Sequence, residues 1–88
     1  GFAVLSGRVI KVQRNRGGVW IELQDSVVLR VAPNLLGHFD VGSLESLKGR
    51  QVEARGWVLD RSRRGGLKEG QPRWMLPLSD PAMVQVAK

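Results

Sequence analysis

Apolar side chains recur at every second position through most of this chain, the spacing of a strand with one buried face. Residues 19–24 show it most cleanly. Val19, Ile21 and Leu23 fall on one face, and Trp20, Glu22 and Gln24 on the other. Residues 27–31 continue the pattern, with Val27, Leu29 and Val31 inward and Arg30 outward. Residues 2–13 read as a long first strand, in which Gly7 marks a bend and Val9-Ile10-Lys11-Val12 breaks the alternation as a bulge does. Residues 51–59 form a fourth strand, with Val52, Ala54, Gly56 and Val58 on one face and Glu53, Arg55, Trp57 and Leu59 on the other. Residues 73–78 form a fifth, with Trp74, Leu76 and Leu78 inward, and residues 83–87 add a short terminal strand. Phe2 and Phe39 read as buried.

The intervals supply the connections. Arg14-Asn15-Arg16-Gly17-Gly18 and Asp25-Ser26 are tight turns, since Asn and Gly tolerate positive φ. Pro33 opens a segment in which Leu35, Leu36 and Phe39 have helical spacing, and Leu44 and Leu47 extend it by a turn before Gly49. Residues 60–72 form a long polar loop. The order β–β–β–α–β–β within 88 residues is that of the OB-fold, an all-β, five-stranded Greek-key barrel with a short helix between strands three and four. An SH3-like barrel is the alternative, and it lacks a helix at that point. Residues 1–88 are read as a single domain, and the opening Gly1-Phe2-Ala3, without Met, as that of a processed protein or a piece of a longer one.

Charge changes this picture from a scaffold to a candidate binder. Fourteen Lys and Arg against eight Asp and Glu give a net charge of +6, and the bases are mostly Arg, whose planar fork of donors suits phosphate. A polyanionic partner is expected. In an OB-fold, the loops joining strands one to two and four to five frame the ligand-binding face of strands two and three. Here those loops carry Arg14 and Arg16, then Arg61, Arg63, Arg64 and Lys68. Arg8, Lys11 and Arg30 lie on strands near that face, and Trp20 points outward on it as a platform for a stacked base. These ten residues form the expected nucleic-acid site. Trp57 points outward on strand four, away from the groove, and with Leu59 suggests instead a surface for another protein or domain.

The residues that carry catalysis are sparse. There is no cysteine and a single histidine, His38 in the helical segment, so neither a thiolate metal site nor a triad is expected. The carboxylates are scattered, and the glycines at 17, 18, 65 and 66 lack the phosphate-loop pattern. The chain reads as non-catalytic, with no cofactor. No apolar run approaches the ~20 residues of a membrane span, and a cysteine-free sequence suits any compartment.

Val52-Glu53-Ala54-Arg55-Gly56-Trp57-Val58 resembles the V-x-V-x-G-x-V strand of bacterial OB-fold domains. Ser6-Gly7-Arg8-Val9-Ile10-Lys11-Val12 and the ending around Ser79-Asp80-Pro81 add to the likeness. The pattern is most similar to the small OB-like domain of proteobacterial staphylococcal-nuclease-like (thermonuclease-related) proteins, which implies a nucleic-acid-related parent. The Asp-Gly-Asp-Thr-type nuclease motif is absent, so the resemblance implies no cleavage activity. A weaker likeness, through Arg55-Gly56-Trp57-Val58 and an Arg-Gly-Gly turn, is to the anticodon-binding OB domains of class II aminoacyl-tRNA synthetases. The expected function is low-specificity binding of single-stranded DNA or RNA. The alternative is a protein-interaction or scaffolding domain, possibly envelope-associated, that contacts other domains of the parent protein.

Overall fold

The first strand, β1 (Phe2–Asn15), is long enough to serve two neighbours in this computed structural model, which describes residues 1–64 and 67–87 but not the side chains of Arg63 and Arg64. Its first half pairs antiparallel with β4 (Gln51–Trp57), from Phe2 opposite Trp57 to Arg8 opposite Gln51. Its second half pairs with β2 (Gly18–Leu23), from Val9 opposite Leu23 to Asn15 opposite Gly18. The changeover falls at Ile10, where the register slips between Val9 and Lys11. This is the bulge that the broken alternation predicts. It reverses parity, so that Phe2, Val4, Ser6 and Arg8 face outward before it and Lys11 and Gln13 after it.

β3 (Val27–Val31) pairs with β2 and, in parallel, with β6 (Trp74–Pro77). β5 (Leu59–Asp60) pairs antiparallel with β6, and β7 (Val84–Val86) pairs antiparallel with β4. The result is a seven-stranded sheet in the order β5-β6-β3-β2-β1-β4-β7, curled into a half-barrel. Two strands go beyond the five expected barrel strands. Residues 51–60 divide at Val58, because the backbone pairs with β1 as far as Trp57 and with β6 from Leu59. The other is β7, the short terminal strand, which lies beyond β4.

The concave side holds the core. Val9, Ile21, Leu29, Val31, Val52, Leu76 and Leu78 are all buried, and their positions follow the period-two reading. Between β3 and β4 the chain makes a 3-10 helix, Pro33–His38, and then α1 (Val41–Glu45), whose N-cap Asp40 accepts a hydrogen bond from the Ser43 amide. Leu44 from α1 joins the core. The helical character expected from 33 onward is present, but its first part is 3-10 and buries no residue fully.

Two glycines mark close backbone approaches. Gly18 has φ of 108° and lies so near the Val31 carbonyl that a Cβ would sit 1.9 Å from its oxygen. Gly56 packs under Met83 and Leu76, where a Cβ would lie 2.7 Å from Met83 Cε. The second hairpin turn has positive φ at both Asp25 (69°) and Ser26 (65°), which non-glycine residues rarely adopt. The first instead places its positive φ at Gly18, and Asn15 serves there as an acceptor. Phe2 is a correction: it is 62% exposed, because its even-numbered parity on β1 faces outward. Among the described residues, no helix is long and apolar enough to cross a membrane.

Candidate nucleic-acid interface

The outer face of β2 and β3 is built around Trp20. Asn15, the last residue of β1, accepts hydrogen bonds from the Gly17 amide (2.8 Å) and from Trp20 Nε1 (3.1 Å). One side chain thus fixes both the turn and the indole. Arg30 stands in register with Trp20 on the neighbouring strand. Its Nε donates to the Gly17 carbonyl (3.0 Å), and its guanidinium carbon lies 4.9 Å from the indole ring centre. Arg61, arriving from the far side of the sheet, places its guanidinium 5.7 Å from the same ring and donates from Nη1 to the Pro72 carbonyl (3.1 Å). Trp20 is therefore half-buried between side chains rather than free, and each cation–π contact contributes about 0.5–1 kcal/mol at such a site.

The two ends of the 60s loop, at Arg61 and at Gln71 and Pro72, lie beside Trp20 and Val28, and a clamp at the loop's base ties them together. Arg73 meets Asp60 through two hydrogen bonds, Nε to Oδ1 (3.1 Å) and Nη2 to Oδ2 (3.0 Å), the bidentate geometry that makes Arg–carboxylate pairs strong. The Arg73 guanidinium also lies 4.7 Å from the Trp74 ring centre. Asp60 accepts further bonds from the Ser62 amide and hydroxyl, at 3.0 and 2.6 Å. The Arg73 bonds, followed by those of Ser62, hold the Asp60 carboxyl well below the usual carboxylate range. Asp60 correspondingly raises the Arg73 pKa.

The loop leaves a groove of about 260 Å³ on this face, lined among others by Gln13, Trp20, Glu22, Val28, Arg61 and Gln71. Val28 is only 1% exposed although its parity faces away from the core, so both faces of β3 are covered at this point.

The ten expected site residues divide. Trp20, Arg30 and Arg61 come together. Lys11 is on the same outer face but stands in register with Glu22, whose opposite charge offsets it. Arg16 is exposed in the turn beside Trp20. Arg14 pairs with Val19 and so takes the core-side parity at the sheet's end, off the Trp20 face. Arg8 belongs to the β1–β4 surface, five residues before Gln13 on β1. Lys68 is exposed, and its backbone amide donates to Gln71 Oε1 (2.9 Å). The side chains of Arg63 and Arg64 lie outside the described residues, as do Gly65 and Gly66.

Sequence reasoning missed Gln13, Asn15, Glu22 and Gln71 as groove residues, and Arg73 as the clamp. Parity through the bulge brings Gln13 beside Trp20, and Glu22 shares the parity of Trp20. Nothing local pairs Arg73 with Asp60 across 13 residues of loop.

A second outer surface lies over β1 and β4. Phe2 and Trp57 (67% exposed) stand opposite each other in register and touch edge to face, with ring centres 6.2 Å apart. Val4 and Leu59 are exposed nearby, and Arg55 pairs with Glu53 at 3.1 Å. Among the described residues, no group of three His, Cys, Asp or Glu side chains gathers to hold a metal. Comparison of the chain with protein-family models, curated proteins and solved structures finds no match.

Proposed function

We propose that this chain is a non-catalytic OB-type module that binds single-stranded nucleic acid across the outer face of β2 and β3. The fold supports this reading. If β4 and β5 are counted as one strand interrupted at Val58, and β6 as the fifth, the β1-β2-β3 meander, the parallel β3–β6 pair and the β1–β4 pair follow the connectivity of a five-stranded OB barrel. The resemblance to OB-like domains of nuclease-related proteins agrees, and it rests on strand and turn motifs alone.

The observation that carries the proposal is Trp20, held on an outer sheet face between Arg30 and Arg61 beside a groove. A stacked base gains about 1–3 kcal/mol. A guanidinium displaced from the ring gives up about 0.5–1 kcal/mol and is then available to phosphate. The exchange favours the base. The surrounding Arg and Lys side chains supply a backbone attraction that weakens steeply with salt.

Fluorescence anisotropy of labelled single-stranded DNA, single-stranded RNA and duplex DNA at two salt concentrations tests this directly. Saturable binding, stronger for single strands and much weaker at high salt, is the expected result. No binding at low salt, where screening is least, refutes it.

The second reading, a protein-interaction module, is favoured by the exposed Phe2, Val4, Trp57 and Leu59. Light scattering across a concentration series checks self-association through that face.

A further inference from the structure

The lining of the groove beside Trp20 is unusual for a site that only follows a phosphate backbone. Besides Arg61, and Asn15 whose Oδ1 already accepts from Gly17 and Trp20, it contains a carboxylate, Glu22, and the amides of Gln13 and Gln71, with Val28 and Pro72 as apolar lining. A carboxylate repels phosphate and only accepts hydrogen bonds when ionised. Amides offer both donor and acceptor. Such a set suits the edge of a base rather than the backbone.

Size agrees with this. A cavity of about 150 Å³ takes a benzene ring. The groove, at about 260 Å³, has room for a bicyclic base with its plane along Trp20.

Resting on the single-strand reading above, we propose that this groove is a guanine pocket, with Glu22 accepting from the base's Watson–Crick edge. Guanine alone among the common bases presents two adjacent donors there, N1–H and the N2 amine, which match the two oxygens of one carboxylate. Cytosine and adenine each set one amine beside a ring acceptor, which faces the second carboxylate oxygen unfavourably. Thymine and uracil flank a single N–H with two carbonyls. Guanine O6, next to N1, is left to accept from an amide of Gln13 or Gln71. The edge is free only in a single strand, so the pocket also discriminates against duplex.

The test uses the 88-residue chain and fluorescein-labelled oligothymidylate octamers whose one central residue is dG, dI, dA or dC, read by anisotropy. Inosine keeps N1–H and O6 and lacks only the N2 amine. The dG octamer is expected to bind about tenfold more tightly than the others, within the range a bidentate base contact supplies. Glu22→Gln is expected to bring the ratio of dG to dA affinities close to one. Equal affinity for all four octamers, or a dG preference that survives Glu22→Gln, overturns the guanine assignment and leaves the single-strand reading standing. Failure of every octamer to bind at low salt overturns both.

Discussion

Trp20 and Trp57 both alternate outward from the same curled sheet, and their surroundings have little else in common. Trp20 on β2 has an Asn15 acceptor on its indole nitrogen, two guanidinium groups against its ring and a loop folded over the adjoining strand. Trp57 on β4 is 67% exposed and meets another exposed aromatic, Phe2, edge to face across the strand pair. The difference comes from what the chain brings over each strand pair after the sheet has formed. The β2–β3 face receives the 60s loop, clamped by Asp60 and Arg73. The β1–β4 face receives nothing among the described residues. A polar, cation-lined face beside a groove suits a ligand with both charge and flat rings. A bare apolar face suits a dry protein contact.

The contrast is broken most severely at its foundation. Gly18→Ala would force a Cβ onto the Val31 carbonyl at a residue with φ of 108°. Close backbone contact and strain together predict a loss of about 3 kcal/mol or more, read by urea unfolding. Gly49→Ala, where φ is also positive but no atom lies within 4 Å, separates the strain from the clash and is expected to cost less.

Next in size is the charge on the 60s loop. The triple replacement of Arg61, Arg63 and Arg64 by Ala is expected to weaken single-strand binding and to flatten the salt slope by about 2, since each phosphate contact contributes roughly 0.7. A salt titration with an unchanged slope removes this loop from the interface.

The two tryptophans then test the comparison itself. Trp20→Ala is expected to cost about 1–3 kcal/mol of binding, roughly 5- to 150-fold in Kd. Trp57→Ala leaves nucleic-acid affinity where it was. Equal losses from the two substitutions erase the distinction between the faces.

The smallest effect concerns the clamp and pH. Arg73 lowers the Asp60 carboxyl below its ordinary value in the folded chain. The pair's stabilisation is therefore fully present above the unfolded carboxylate pKa of about 3.9 and fades as pH falls below it towards the lowered value. Stability against urea is expected to decline in that acid window, and less steeply in Asp60→Asn. Parallel profiles for the two proteins would mean that the ion pair adds nothing.

Much of the sheet was legible because the alternation is strong. Val19, Ile21, Leu29, Leu76 and Leu78 are buried where period two puts them, and the broken pattern at Ile10 is the observed register slip. The structure departs from the pattern where the outcome depends on neighbours remote in sequence. Phe2 reads as core by residue type, yet its parity opposite Trp57 exposes it. Val28 has the outward parity of Arg30, yet it is buried beside Arg61, Gln71 and Pro72, which no pattern within β3 signals. Of the basic residues expected at the groove, Arg30 and Arg61 stand against the Trp20 ring. Arg14 and Arg8 lie off the Trp20 face, because parity and register, which the bulge alters, decide where they point. Gln13, Glu22 and Gln71 carry no phosphate-binding signal in the sequence, and only the register of β1 with β2 and the return of the chain before β6 set them beside Trp20.

Whether nucleic acid lies on Trp20 rather than on the apolar face is decided in a chain whose only tryptophan is Trp20. Trp57→Phe with Trp74→Phe leaves that single emitter, and single-stranded DNA is titrated into it at low and high salt. Saturable quenching is expected at low salt, shifting to much higher ligand concentration at high salt. Binding seen by anisotropy with no change in Trp20 emission would contradict it and move the interface elsewhere on the sheet.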